Sequence, residues 1–260
     1  MRRLMLGNEA IARGLLENGC AVATSYPGTP ASEILVSVAA MREAEAMDMH
    51  VQWAVNEKIA FEIAYAGAMT GLRTAVSMKQ VGLNVASDPL MSAAYMGTKG
   101  GFVVISADDP GPHSSQTEQD SRMMAMMAKI PVLDPDSPRQ AKEMVGLAFS
   151  LSEAFEIPVM VRPTTRVCHA RQDVALDPLE KMSPQPVFER DPARWAATRS
   201  RLLESRFFEN IERRFRWLTP RDRDRSFDEI KAHLLEGHPV LIRADIADLP
   251  HYQTSTRFPG

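Results

Sequence analysis

The sequence predicts an α/β fold, a doubly wound and mostly parallel sheet, over its first two-thirds. Strand-like and helix-like segments alternate there and are joined by short connections, as in successive strand–helix–strand units. Residues 101–107 (GFVVISA) form a short, continuous, β-branched apolar run, which is typical of a strand buried on both faces. Together these observations place helices on both faces of one sheet.

The individual elements follow in chain order. Asn8 can cap the first helix, because Ile11, Leu15 and Leu16 come after it at helical spacing and Asn18-Gly19 ends the pattern. The short apolar runs are predicted strands, at 20–24, 50–55, 73–79, 101–107, 130–133 and 157–162. The longer segments between them are predicted helices, at 31–43, 57–69, 83–95, 120–129 and 138–155, with the fourth rich in methionine.

The character of the chain changes after Arg166. Residues 1–166 are predicted to form the α/β domain, and 167–189, with three prolines and no clear period, to form a linker. Residues 190–260 are predicted to be a basic helical extension, since 190–226 carries eleven Arg against six acidic residues. A solvated helix face and docking onto an acidic partner both fit that stretch.

The net charge and the cysteine content argue against a nucleic-acid-binding protein, a membrane protein and a chain that holds an iron–sulfur cluster by itself. A net charge of −3 gives no reason to expect nucleic acid or an anionic membrane as partner, and no apolar run reaches a membrane-spanning length. Cys20 and Cys168 stand alone, whereas a cysteine-ligated iron–sulfur cluster needs about four thiolates. We expect no metal site in this chain, and a reducing, cytoplasmic location because no signal peptide is apparent.

Ligands of such folds bind outside the carboxyl ends of the strands. The segments to search are therefore 25–32, 56–58, 79–84, 108–119 and 163–166. The first contains a rigid turn, Tyr26-Pro27-Gly28-Thr29-Pro30, in which Thr29 offers a hydroxyl beside exposed backbone N–H groups. A plain strand-to-helix turn, with Thr29 or Ser32 as helix cap, is the alternative.

Glu57 begins a nearly all-apolar helix directly after the second strand. A carboxylate in a first helical turn complements the helix dipole, worth roughly 0.3–1 kcal/mol, and this structural role is one interpretation. The other is functional: a partly buried carboxylate at that position can take up a proton and exchange it with a ligand nitrogen.

Two further loops carry polar groups at strand ends. Lys79 and Gln80 offer hydrogen-bond donors, and Gly82 allows close backbone approach, although a solvated capping loop fits the same residues. Residues 108–122 lack the spacing of a phosphate loop or a calcium loop. A mobile polar loop is one interpretation, and a loop facing a neighbouring active site through His113, Ser114 and Gln116 is the other.

Five segments resemble a known family in their order and spacing. They read GNEAIARG, SYPGTPASEI, WAVNEKIAFEIAYAGAMTGLRT, SMKQVGLNVASDPLM and DDPGPHSSQTEQDSR, and they span about residues 5–165. They are similar to the amino-terminal region of the α subunit of indolepyruvate ferredoxin oxidoreductases. The resemblance implies the pyrimidine domain of the thiamine-diphosphate-binding fold, with the cofactor held between this domain and a diphosphate domain.

The resemblance also implies an activity and residue roles. The family oxidatively decarboxylates an aryl pyruvate with coenzyme A, giving an acyl-CoA, and passes the electrons to ferredoxin. By this resemblance Glu57 is the catalytic carboxylate that hydrogen-bonds the aminopyrimidine ring. The residues expected near the cofactor are Tyr26, Pro27, Gly28, Thr29, Lys79, Gln80, Gly82 and Asn84. Those expected near the substrate are Thr29, His113, Ser114 and Gln116.

The sequence departs from the family in two respects. It contains no Gly-Asp-Gly segment of the kind that holds magnesium in diphosphate domains, and no ferredoxin-like cysteine motif. Mg²⁺ and iron–sulfur clusters are therefore expected only through partner chains, in a homo- or hetero-oligomer. We expect this chain, whether it is a natural subunit or a fragment, to be inactive alone. The alternatives are the pyrimidine-domain subunit of a non-oxidative 2-oxoacid decarboxylase and a non-catalytic interaction module.

Overall fold

A computed structural model describes residues 2–44, 48–179, 185–192 and 194–195 of the chain. The strands are β1 (Arg2–Leu6), β2 (Val22–Ser25), β3 (His50–Trp53), β4 (Thr74–Lys79), β5 (Phe102–Ala107), β6 (Val132–Leu133), β7 (Val159–Val161) and β8 (Arg171–Ala175). The helices are α1 (Gly7–Glu17), α2 (Ser32–Ala44), α3 (Glu57–Met69), α4 (Gln80–Val85), α5 (Ser87–Met96), α6 (Ser121–Ala128), α7 (Pro138–Phe155) and α8 (Thr165–His169). No helix in these ranges has both the length and the apolar character that crossing a membrane requires.

Six strands form one parallel sheet in the order β3-β2-β4-β5-β7-β6. Strands β1 and β8 pair antiparallel as a separate two-stranded sheet. The predicted doubly wound, mostly parallel α/β fold is confirmed.

Helices cover both faces of the large sheet. Helices α1, α2 and α7 pack on the face that receives Val103 and Ile105, whereas α3, α5 and α6 pack on the face that receives Phe102 and Val104. Every residue of β5 is buried, which explains the unbroken apolar run at 101–107. Full burial of one such side chain contributes roughly 1.5–3 kcal/mol, so this central strand is a main source of stability.

The winding direction reverses between β2 and β4. The chain leaves β2 through α2 to the edge strand β3, then returns through α3 on the opposite face to β4, on the other side of β2. Ser25 and Ser77 are register partners at the carboxyl ends of these strands, and the Ser25 hydroxyl donates to the Ser77 carbonyl at 2.7 Å. Such a reversal opens a crevice at the carboxyl edge of the sheet, where ligands of doubly wound folds bind.

The α/β domain extends beyond Arg166, where a linker was predicted. Helix α8 and strand β8 occupy residues 165–175, and β8 pairs with β1 from the start of the chain. Local pattern gave no sign of either strand, because Met5 and Val174 are their buried side chains and most of the others face outward. The predicted extension at 190–260 lies outside the described residues, except for 190–192 and 194–195.

Two local predictions are also corrected. Asn8 does not cap α1: the Glu9 carboxylate accepts from the Leu6 N–H at 2.8 Å, while the Asn8 amide donates to the Pro30 carbonyl and so ties α1 to the start of α2. The single helix predicted at 83–95 is two helices, α4 and α5. Pro89 lies in the first turn of α5, where its missing N–H costs no hydrogen bond.

Candidate functional site

The crevice between β2 and β4 brings together the turn that follows β2 and the last residue of β4. The side chain of Lys79 lies across Gly28: a β-carbon at position 28 would be 3.0 Å from both Cγ and Cδ of the lysine. A side chain at position 28 would therefore crowd the lysine on this path. The ammonium group of Lys79 forms no ion pair with any acidic residue in the described part of the chain, so a positive charge is available there for an anionic ligand.

The turn after β2 is closed by Ser32 rather than Thr29. The Ser32 hydroxyl accepts from the Gly28 N–H at 2.8 Å, and the Ala31 N–H donates to the Gly28 carbonyl at 2.8 Å. Thr29, Tyr26 and Pro27 lie exposed at the surface of the crevice. Ser32 thus closes the turn through the Gly28 N–H, which precedes α2, and this bond does not cap the helix. The Thr29 side chain is accessible to a ligand.

Glu57 lies buried at the start of α3, with a relative exposure of 7%. Asn56 caps this helix, since its side-chain oxygen accepts from the Ile59 N–H at 2.9 Å. The Glu57 carboxylate packs on the backbone of Gly82, where an added β-carbon would be only 2.5 Å from Oε1. No described residue donates a hydrogen bond to this carboxylate or pairs with it. A buried carboxylate without a partner is costly, which marks Glu57 as a group poised for a ligand.

Gln80 is a second buried acceptor at the same place. Its amide nitrogen donates to the Thr117 carbonyl at 3.0 Å, but its Oε1 has no partner among the residues described. Gln80 lies two positions before Gly82 in α4, so the starts of α3 and α4 each carry an acceptor side chain with an oxygen that has no hydrogen bond among the described residues.

The Asn84 side chain binds the end of loop 108–119. It exchanges two hydrogen bonds with Gln119, each 2.9 Å long, and Gln119 also donates to the Gln80 carbonyl at 3.2 Å. These contacts fasten the end of loop 108–119 to α4.

The same loop reaches the turn after β2. Ser115 Oγ lies 3.5 Å from the Thr29 carbonyl oxygen, so the loop spans from the turn to α4. Of the side chains predicted to face a substrate, His113, Ser114 and Gln116 are all exposed on this loop. Ser114 also uses its N–H and hydroxyl internally, at 2.6 and 3.2 Å from Asp109 Oδ2.

Two buried acids that the sequence analysis did not single out organise this region. Asp108 accepts from Arg162 Nε at 2.7 Å and from the Ser121 N–H at 2.9 Å. Asp109 accepts hydrogen bonds from backbone N–H groups of loop 108–119. It also accepts from the Thr165 hydroxyl, at 2.6 Å. The signal available in the sequence was the position of both acids directly after the most buried strand.

The pKa of Asp109 reflects these contacts. Burial raises it, but hydrogen bonds from the Thr165 hydroxyl and from the N–H groups of Ser114 and Ser115 outweigh that effect and bring the pKa to about 2. Asp109 is therefore ionised at all physiological pH values. Within the described ranges, no group of three or more His, Cys, Asp or Glu side chains is arranged to hold a metal ion.

A family model described as "Pyruvate flavodoxin/ferredoxin oxidoreductase, thiamine diP-bdg" matches residues 13–214. The chain is 52% identical over 178 residues to the indolepyruvate oxidoreductase subunit IorA of Thermococcus kodakarensis, covering 68% of this chain and 27% of the relative. It is 47% identical to the Archaeoglobus fulgidus subunit of the same name, covering 72% of this chain and 31% of that protein. The chain thus spans less than a third of the length of these relatives.

More distant proteins share the domain. The 2-oxoglutarate synthase subunit KorA of Methanothermobacter thermautotrophicus is 27% identical over 179 residues, or 65% of this chain and 46% of that subunit. A solved 2-oxoglutarate:ferredoxin oxidoreductase from Magnetococcus marinus, with 2-oxoglutarate, coenzyme A and succinyl-CoA bound, superposes with a TM-score of 0.61 at 21% identity. That match covers 68% of this chain and 32% of the solved chain, and it shows a common fold.

Proposed function

The chain belongs to the pyruvate flavodoxin/ferredoxin oxidoreductase family through its thiamine diphosphate-binding domain. From that premise, we propose that it is the pyrimidine-domain component of an indolepyruvate-type 2-oxoacid:ferredoxin oxidoreductase. In this proposal it acts with a partner that carries the diphosphate-binding domain. The observation that carries the proposal is the buried Glu57 carboxylate, which packs on Gly82 at the reversal point of the sheet and has no partner among the described residues.

The residues around Glu57 fit an aminopyrimidine ring. Such a ring presents N–H groups. The Glu57 carboxylate, which has no hydrogen-bond partner among the described residues, and the buried Gln80 Oε1 are acceptors for them. Gly82 fits as well, since a side chain at this position would displace the Glu57 carboxylate. When bound, thiamine diphosphate supplies the electron sink for decarboxylation of a 2-oxoacid.

In this proposal Glu57 holds a shared proton at a nitrogen of the pyrimidine ring. Its position suits this role, because the buried start of an apolar helix limits access of water and strengthens a hydrogen bond to an ionised acceptor. Lys79 supplies the positive charge that faces the anionic part of a 2-oxoacid or of the cofactor. Thr29, on the accessible turn, lies where a substrate would contact the crevice.

An oxidoreductase of this type needs a diphosphate-binding domain, Mg²⁺ and iron–sulfur clusters in addition to the pyrimidine domain. We propose that Mg²⁺, the diphosphate-binding residues and the iron–sulfur clusters belong to domains outside these 260 residues, and that ferredoxin and coenzyme A act on the assembled complex. The length of the relatives supports this, because about 70% of each IorA subunit has no counterpart here. Apolar side chains are exposed at the end of β3, on Trp53, and directly after β2 and β3, on Tyr26 and Val55, and they are consistent with a covering domain at that edge of the sheet.

The comparisons favour the oxidative reaction over the non-oxidative one, since the relatives are named as oxidoreductase or synthase subunits. Affinity purification of the chain from its native cells, with mass spectrometry and an activity assay, tests the proposal. We expect a partner with Gly-Asp-Gly and cysteine-cluster motifs, and ferredoxin reduction that requires indolepyruvate, coenzyme A and thiamine diphosphate. Aldehyde release without ferredoxin reduction would identify the decarboxylase instead. A purified chain without such a partner would support the non-catalytic module.

A further inference from the structure

Loop 108–119 is organised around one carboxylate. Asp109 Oδ2 accepts from three consecutive backbone N–H groups, those of His113, Ser114 and Ser115, at 2.9, 2.6 and 2.7 Å. A concave run of N–H groups of this kind is an anion-binding arrangement, and here the anion is the protein's own side chain. One carboxylate therefore fixes the conformation of the loop tip.

The other oxygen of Asp109 ties the loop to the sheet. Oδ1 accepts from the Thr165 hydroxyl at 2.6 Å, and the Thr165 N–H donates to the neighbouring Asp108 carbonyl at 2.8 Å. Asp109 is fully buried, and no basic side chain in the described part of the chain forms an ion pair with it. Its charge is thus compensated by hydrogen-bond donors of the loop and of α8, which makes the loop conformation depend on this one residue.

The loop in turn forms a wall of the crevice. Ser115 lies against the Thr29 carbonyl, and the Thr117 carbonyl accepts from the buried amide of Gln80. The segment held by Asp109 therefore touches both the turn after β2 and the start of α4. If the loop opened, Gln80 would lose its hydrogen-bond acceptor and the crevice would lose one side.

We propose that Asp109 is a positioning residue that holds loop 108–119 closed against Thr29 and Gln80. Asp109 itself faces the loop and not the crevice, so it acts through these two residues. The contacts described above support the closure of the loop. The expected effect of this closure on the KM for the 2-oxoacid rests on the proposed function.

Hydrogen exchange of the full chain, followed by mass spectrometry, tests the closure directly. Replacing Asp109 by Ala should accelerate exchange of the 113–115 amides about tenfold or more, because three charge-assisted hydrogen bonds are lost. Asp109→Asn keeps the shape of the side chain and should give an intermediate acceleration, and it serves as the test variant if the Ala protein fails to fold. Glu118→Ala removes an exposed acid from the same loop and should change nothing. Protection of β5 reports that each variant is folded.

Steady-state kinetics of the assembled complex test the catalytic consequence. Asp109→Asn should raise KM for the 2-oxoacid several-fold with a smaller change in kcat, since the wall is loosened but Glu57 is untouched. Unchanged exchange at 113–115 in both Asp109 variants would overturn the proposal. Faster exchange with unchanged KM, in a complex that Glu57→Gln inactivates, would support the loop closure and overturn its catalytic consequence. A complex whose activity is insensitive to Glu57→Gln would instead overturn the proposed function, and the exchange data would still decide the role of Asp109 in holding the loop.

Discussion

Glu57 Oε1 and Gly82 are in direct contact across the starts of α3 and α4, so closely that a β-carbon on residue 82 would lie 2.5 Å from that oxygen. The contact joins the elements that follow β3 and β4, and it explains why a glycine stands in the first turns of α4. Since the opposing atoms belong to the proposed catalytic carboxylate, position 82 offers a way to move that group without removing it.

Gly82→Ala should therefore displace the Glu57 carboxylate or α4. We expect a loss of about 1–3 kcal/mol in unfolding free energy, as for other overpacked sites, and a drop in activity of the assembled complex larger than that loss explains. Val85→Ala, at an exposed position of the same helix, is the control and should behave as wild type. Full activity of the Gly82 variant would contradict the close packing of these two residues.

Replacing Lys79 by Met tests whether its charge serves an anionic ligand. Methionine keeps an unbranched apolar stem over Gly28 but removes the ammonium group. KM for the 2-oxoacid should rise by about 10-fold or more, because a charged hydrogen bond is worth roughly 1.5–3 kcal/mol. Lys58→Met is the matched control, since the Lys58 ammonium already pairs with Asp88 at 2.7 Å. Equal effects of the two substitutions would argue against a specific role of Lys79.

The stabilisation contributed by ionised Asp109 should depend on pH in the acid range. The pKa of Asp109 is lowered to about 2 from its ordinary 3.8, so its contribution is complete above about pH 4 and is lost as the pH falls toward 2. The difference in unfolding free energy between wild type and Asp109→Asn, measured by urea denaturation from pH 5 to pH 2.5, should shrink as the pH falls. A difference that stays constant over this range would show that ionisation of Asp109 does not stabilise the fold.

Both cysteines should be chemically inert in the native protein. Burial raises the pKa of Cys20 to about 12 and raises that of Cys168 as well. At pH 8 a disulfide-exchange reagent should label neither thiol within minutes, and it should label both in urea. Rapid labelling of the native chain would mean that α8 or the core around α1 opens readily.

The sequence predicted the parts of the fold that local pattern controls. Helix α3 and helix α7 begin and end at the predicted residues, because each has a capping residue before it, Asn56 or Ser137, and a clear apolar pattern. The same reasoning placed Glu57 correctly at the start of α3. Pairing of β1 with β8 was missed because it joins residues about 170 positions apart and buries little of either strand.

The site was predictable to the same extent. The carboxyl ends of parallel strands lie at one edge of a sheet, so Thr29, Lys79 and Glu57 could be assigned to that edge in advance. The reversal point could not, because it depends on the strand order. The closure of the loop by Asp109 could not, because its bond to Thr165 depends on tertiary packing of two post-strand segments 56 residues apart. The catalytic and binding roles of all the predicted site residues stay predictions, since their positions at the crevice or on its loop do not by themselves assign a ligand.

The most direct test of the central claim compares two glutamates of the same helix. Glu57→Gln removes the buried carboxylate charge but keeps its shape, and Glu62→Gln makes the same change at an exposed residue of α3, next to Lys58. We predict that thiamine-diphosphate-dependent oxidation of indolepyruvate by the assembled complex falls at least about 100-fold in the first variant, consistent with loss of a proton-transfer group, and is unchanged in the second. Wild-type activity of the Glu57 variant would contradict its assignment as the carboxylate that serves the cofactor.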